Sequence, residues 1–427
     1  MNFVEASVVD EPYIETRDGR SLRRGQLLSG EGRLRAIGVT ILALLLLAAS
    51  IPDSALLAQD APETWEVSRQ PVVRIGMVTG PEEYLFQAIR EIVALPGGRL
   101  AVADAGYLTI RVYDADGRYL HRMGTQGEGP GEFLSISGLW LTEDGELAVW
   151  DHELRRVVRF TQAGAHVETT QIVHPDDRMG NLQRFLGRMS GGEVLLAALS
   201  GRVRSDGERS PSSNLLFRYH LSGEFRAAVG QIEGMWFYRG GGSVVTLPFT
   251  PVPSVVTWND TIYVAVGYEP EVEVRDRDGA RVRAIPVPGQ REPTESDWAA
   301  FQRALRERAD DLPVGPFLVN FLERGEMPLD GRMPATAGLL VDDAGLIWAK
   351  AFRPAEDSRW LRAHASLPAP GGEWWVLDPA LGVTVARVEL PPTVVPLVIR
   401  DGKIIGKDVD ALGVERVVVH ELRRGGS

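Results

Sequence analysis

The chain of 427 residues contains no cysteine. That excludes disulfides, thiol nucleophiles, thiolate zinc sites and a lipid-modified cysteine anchor. Lysine is nearly absent too: only Lys350, Lys403 and Lys407 stand among 46 basic residues. The glycine-rich stretch Gly124–Gly131 lacks the lysine and the following helix of a phosphate loop, so it reads as a connector. No serine lies in a Gly-x-Ser-x-Gly elbow, which leaves Ser-His-Asp catalysis without a local signature. Excess positive charge is also missing. The net charge of −12 argues against general nucleic-acid binding, because phosphate neutralisation needs a basic surface.

Long apolar runs are scarce. The longest, Ala36–Ile51, falls short of the ~20 residues needed to span a bilayer. It follows Arg17, Arg20, Arg23, Arg24, Arg33 and Arg35, and it is broken by Pro52 and Asp53. A basic leader, a short apolar core and the small-residue end Ala58–Gln59 make the pattern of a secretory signal. Residues 1–58 are therefore read as a targeting segment, and the protein as exported to the periplasm or beyond the cell. The other reading is an uncleaved anchor, the only way the chain would touch a membrane.

What the sequence does contain is a unit that returns six times. Turns at Gly98, Gly145, Gly192, Asp260, Gly345 and Gly402 each lead into a short β-type run, then a polar loop, then a second run. A period of ~45 residues built only of short strands is the signature of a propeller blade. The first blade reads Ile89–Leu95, Arg99–Ala103, Ile110–Tyr113 and Tyr119–Met123, with Asp116–Gly117 as a tight hairpin turn. The sequence predicts an all-β fold, a six-bladed β-propeller over residues 64–423, with 424–427 as a tail. The sixth blade lacks an outer strand. Pro71–Gly76 is the candidate to supply it, closing the ring by joining its two ends and removing open sheet edges.

A second repeat supports this phase. Gly80-Pro81-Glu82-Glu83-Tyr84-Leu85 follows the closing strand as Gly129-Pro130-Gly131-Glu132-Phe133-Leu134 follows blade one. The segment Arg122 to Phe133, the strand pair around Arg99–Asp104 and Arg111–Asp114, and Val341 to Trp348 resemble bacterial exported six-bladed propellers of the NHL-repeat kind. The resemblance implies a six-bladed ring and no particular reaction. Members of that superfamily bind proteins, RNA, lipids or sugars, and some are lyases or lactonases.

Departures from the rhythm mark where function is expected. Residues 288–333 form a helical insertion between blades four and five, opening with a capping box from Thr294 to Asp297 and placing Trp298, Phe301 and Leu305 on one helical face. A second short helix is expected over Phe317–Glu323. Glu233–Pro253 reads as a long aromatic and glycine-rich loop, Gly201–Ser213 as a polar one, and Arg353–Gly372 as a loop carrying Arg359, Trp360, Arg362 and His364. Asp104, Asp151 and Asp408 recur just after the second strand of their blades, and each is expected to cap its own loop. Of the seven histidines, none falls on a predicted inner strand.

These features point to a binding module or scaffold that recognises a small molecule, a glycan or an envelope protein at the channel mouth. The expected contacts are Arg178, Arg184, Trp236, Tyr238, Arg359 and Trp360, with no catalytic residue, no cofactor, no nucleic-acid partner and a monomeric chain. The alternative is a metal-dependent lyase or lactonase working in the channel. Its calcium site would draw on Asp176, Asp177 and Asn181, residues that otherwise simply solvate a turn.

Overall fold

A computed structural model describes residues 61–175, 181–200, 209–240, 243–266, 268–289, 291–325, 332–362 and 367–425. The targeting segment 1–58, Arg178, His364, Asp176 and Asp177 lie outside them. Among the described residues no helix is long and apolar enough to cross a membrane.

From Pro62 onward the chain is a six-bladed β-propeller. Four antiparallel strands make blade one (Ile89–Ala94, Leu100–Asp104, Thr109–Tyr113 and Tyr119–Met123). Blade two repeats the plan over Gly138–Leu141, Leu147–Asp151, Arg156–Phe160 and His166–Gln171. The innermost strand of each blade touches the next around the axis, and Val394–Arg400 of blade six meets Ile89–Ala94 of blade one. The ring is thereby complete. Its stability resides between blades: successive blades face each other across six apolar cores. Second and third strands are buried on both faces, as with Leu100–Asp104 and Thr109–Tyr113. That explains their continuous rather than alternating hydrophobicity.

Closure follows the predicted route. Val73–Ile75 pairs antiparallel with Val417, Val418 and Val419, and Ile75 is 1% exposed in the core between blades six and one. A further strand was not anticipated. Glu63–Val67 runs parallel to Val383–Leu390 of blade five, then pairs through Glu66 and Val67 with Arg423 and Leu422 of blade six. It fuses the last two blades into one nine-stranded sheet. Its Trp65 packs 5.9 Å from Trp348 and beneath Arg424, which also reaches Asp342 at 3.2 Å. Arg424, assigned to a tail by sequence, is thus tied into blade five.

The repeated connectors owe their likeness to a shared anchor. Arg111 donates to Leu85 O at 2.8 Å, and Arg156 donates to the carbonyls of Glu128, Gly129 and Glu132. In both blades an arginine on the third strand therefore holds the incoming connector. A side chain at Gly124 would lie 2.0 Å from the Phe133 ring, which folds back over the loop. The glycine-rich connector is filled by its own Phe133 and Glu132.

Blade three corrects two expectations. The polar loop expected over Gly201–Ser213 is shorter, because Arg209–His220 is one long strand. The aromatic loop expected over Glu233–Pro253 is largely a hairpin, Phe225–Gly240 returning through Ser243–Thr246. Strand pairing satisfies the backbone polar groups that a loop would have left to solvent.

Candidate functional site

Adjacent strands in a blade are antiparallel, so blade-to-blade connections and the loops between second and third strands leave from one face of the ring. The blade-three hairpin, the insertion and the blade-five loop all belong to that face. They pack together around a seventh core that includes Phe249, Phe301, Leu305, Phe321, Trp360 and Leu361.

The insertion folds as its sequence directs. Helix α1, Glu295–Arg308, starts at a reciprocal capping box: Thr294 Oγ1 accepts from Asp297 N at 3.3 Å, and Asp297 Oδ2 accepts from Thr294 N at 2.8 Å. Hydrogen bonding from Arg291 holds the Asp297 carboxyl well below the usual carboxylate range. Helix α2, Gly315–Glu323, begins at a glycine because a β-carbon there would sit 2.0 Å from Ala309 O. Trp298 stacks on Phe249 at 4.1 Å, while Phe301 and Leu305 are fully buried. The aromatic face of α1 is thus the inside of a roof.

The blade-five loop is fastened beside it. Lys350 and Asp357, both fully buried, form an ion pair at 2.6 Å. Asp357 also accepts from the backbone N–H of Arg353 and Ala369. Burial pulls the Lys350 ammonium down to about 8, opposed by the adjacent carboxylate. Ser358 Oγ donates to Pro248 O at 2.7 Å, and the Trp360 indole N–H donates to Thr246 O at 2.8 Å, joining this loop to the hairpin.

Beneath the roof lies a cleft of about 540 Å³. Its walls come from the start of blade one (Gln87 to Arg90), the end of α1 (Arg308), the blade-five loop (Leu361, Arg362, Pro368) and blade six (Lys407, Glu415). Leu367 and Pro368 are shared with a smaller cavity of about 200 Å³ lined by inner strands, including Glu91, Arg184, Ser254, Leu339 and Pro396. That cavity lies in the central channel, and the cleft opens at its mouth.

The charges here are unusual for an acidic protein. Lys407 pairs with Glu415 at 2.5 Å, and the other Glu415 oxygen accepts from Ile89 N. Among the described residues Arg90, Arg308, Arg362 and Glu356 also line the cleft. Burial lowers the Arg362 guanidinium; Asp357 opposes this, while Arg359 and Arg308 add to it. In the channel, burial pushes the Glu91 carboxyl up to about 7 against the pull of Arg90 and Arg184. Burial also holds Arg184 below its usual range, with Arg90 adding to the effect and Glu91 opposing it. Desolvation dominates both shifts, as expected in a narrow protein-lined cavity.

Arg178 lies outside the described residues, and the other five residues singled out by sequence are spread over different places. Arg184 lies in the channel. Arg359 and Trp360 border a separate, largely apolar crevice of about 480 Å³ with Phe237, Val314 and Phe317. Trp360 is 4% exposed and belongs to the roof core. Tyr238 packs against the same core, and Trp236 lies under Arg332, 5.0 Å from its guanidinium. The cleft residues Arg90, Arg308 and Lys407 and the channel residue Glu91 were not selected by sequence. Arg90 and Glu91 could have been noted as charges at the mouth end of an inner strand; nothing local marks Arg308.

The recurrent aspartates are structural. Asp104 accepts from the N–H groups of Gln87, Ala88, Gly106 and Tyr107, and so pins its own loop to the incoming connector. Asp151 does the same with Leu134, Ser135 and Leu154. Asp408 departs from the expected capping role: its partner is Arg74, on the closing strand. Among the described residues no group of three or more His, Asp or Glu side chains is placed to hold a metal ion.

Fold and closure define the chain as a six-bladed β-propeller. A family model described as a 6-bladed beta-propeller matches residues 75–177, the first two blades with their leading connector. No curated protein matches. Among solved structures, a member of the duf4221 family from Bacteroides vulgatus is similar at 9% identity and a TM-score of 0.51, covering 86% of this chain and 100% of its own. A chain from Bacteroides fragilis described as exported has 10% identity, a TM-score of 0.45 and coverages of 86% and 98%. Virginiamycin B lyase from Staphylococcus aureus has 12% identity, a TM-score of 0.37 and coverages of 79% and 94%. At these identities the likeness concerns the fold alone.

Proposed function

We propose that this protein is an exported binding module, a rigid ring whose roofed cleft receives a small molecule or a terminal group of a glycan or envelope protein. One observation carries the reading: three segments that break the blade rhythm pack together on one face of the ring, and two of them, the insertion and the blade-five loop, help to wall an open cleft of about 540 Å³ that includes charged side chains. Cavities of that size with convergent polar groups are the usual form of a ligand site. Export follows from the basic leader and apolar stretch of residues 1–58. A metal-dependent lyase or lactonase is the second reading, and the shared propeller fold is its support; metal analysis of protein purified without chelator tests it.

The binding reading is tested by a fragment screen using thermal shift, on the unmodified protein and on Ala88→Trp, which places an indole in the cleft. Fragments should stabilise the first and lose their effect on the second. Hits indifferent to the substitution, or no hits at all, would overturn the assignment.

A further inference from the structure

We propose that the apolar crevice between the blade-three hairpin and helix α2 is a second ligand site, for small amphipathic carboxylates such as a medium-chain fatty acid, with Arg359 as the charge partner of the carboxylate. This crevice is separate from the cleft at the channel mouth, and its occupancy does not depend on ligand binding there.

A strand alternates its side chains between two faces, and a surface hairpin commonly buries one face and leaves the other polar. In the hairpin of blade three, Phe237 pairs with Thr246 and Tyr238 with Val245. Tyr238 and Val245 share one face and pack on the roof core. The opposite face carries Met235, Phe237, Val244 and Thr246, and it is mostly apolar as well. It lines a crevice of about 480 Å³ whose far side is the start of α2.

Val244, Val314 and Phe317 are 53%, 56% and 43% exposed, and all three line this crevice. Trp360 and Leu318, both buried in the roof core, line it too. The roof therefore closes its core and still holds a concave apolar surface open to solvent beside it. One exposed Val or Phe needs no explanation; three that converge on a single concavity of ligand size point to an occupant.

Arg359 lines the same crevice, partly buried. Its Nη1 donates to Arg362 O at 2.6 Å, which fixes the side chain. Among the described residues no carboxylate pairs with it, and none of those lining the crevice is Asp or Glu. Burial lowers the Arg359 guanidinium and no acid opposes the effect. Arg277 and Arg291 differ, since Glu193 and Asp297 hold their guanidinium groups above the usual range. Arg362 borders the crevice as well but interacts with Asp357. A guanidinium partly withdrawn from water without a counter-charge is costly, and a carboxylate satisfies it through two parallel hydrogen bonds. The apolar walls then take the hydrocarbon tail.

The test is calorimetric titration of the full chain with octanoate, octanol and acetate. Octanoate and octanol share a chain and differ in the charge of the head; acetate has the head without the chain. Octanoate should bind, octanol should bind about tenfold more weakly, and acetate should not bind. Arg359→Gln should weaken octanoate about tenfold, the loss of one charge-assisted contact, and leave octanol unchanged. Val314→Glu, at an exposed position where folding is not at stake, should abolish octanoate binding by placing a like charge beside the carboxylate. Arg306→Ala, on α1 outside the crevice, should change nothing, and neither should Ala88→Trp in the cleft. Octanol binding as tightly as octanoate, or full octanoate affinity in Arg359→Gln or Val314→Glu, overturns the proposal. Loss of octanoate binding in Ala88→Trp overturns it too, and assigns the ligand to the cleft instead. Silence from octanoate also overturns it; pelleting with phosphatidylcholine vesicles, or a dimer in sedimentation, would then identify the apolar face as a contact for a membrane or for a second copy.

Discussion

Arg74 and Asp408 meet at 2.6 Å across the seam that closes the propeller, 334 residues apart in the chain. The Arg74 side chain is half-exposed, so solvent screens the pair and it contributes about 1 kcal/mol or less. Closure depends more on Ile75, buried among Ile405, Val417 and Val419. Ile75→Ala should cost about 2–5 kcal/mol in urea unfolding, and Arg74→Ala about 1 or less. Equal losses in the two variants would mean that the strand is held by its ion pair and not by its packing.

The roof should depend on one buried charge pair. Asp357→Asn leaves the Lys350 ammonium fully buried without its counter-charge and should destabilise the protein by about 3–5 kcal/mol at neutral pH. Replacing both members by apolar residues of similar size, Lys350→Met with Asp357→Leu, should recover much of that loss. Denaturant melts of the three proteins decide the matter. An Asp357→Asn variant as stable as the parent would show that water reaches Lys350.

The channel acid gives stability a pH dependence. The Glu91 carboxyl is raised from 4.5 to about 7 by burial, so the folded protein keeps a proton that the unfolded chain releases. Its contribution is fully present below about pH 4.5 and is lost as pH rises through about 7. Glu91→Gln removes this proton linkage. The gap in melting temperature between parent and variant should shift against the parent across that window and become constant above it. Parallel melting curves from pH 4 to 8 would show that Glu91 ionises in the fold as it does in water.

Much of the ring was legible because it is specified locally. The positive φ of Gly117 in the Asp116–Gly117 turn and of Gly145 and Gly345 in later turns marks where strands reverse, and doubly buried strands such as Leu147–Asp151 read as short apolar runs. The capping box at Thr294 and Asp297 was legible for the same reason, since both partners lie within one turn. The Glu63–Val67 strand was not: its polar, alternating sequence gains its meaning from pairing with Val383–Leu390 and Glu415–Arg423. Trp360 was read as a surface contact because an aromatic beside arginines looks the same in a loop or a core; only the packing of α1 and α2 against it shows the difference.

The sequence by itself determined the number of blades, their phase and the joining of the chain's two ends, because each follows from turns, strand runs and a connector repeated at short range. Only the tertiary structure decided where a ligand could enter. Arg90, Arg308 and Arg362 lie in three elements far apart in the chain. They line one cleft because ring closure brings blades one, five and six together and a helical roof with its own core covers the place where they meet.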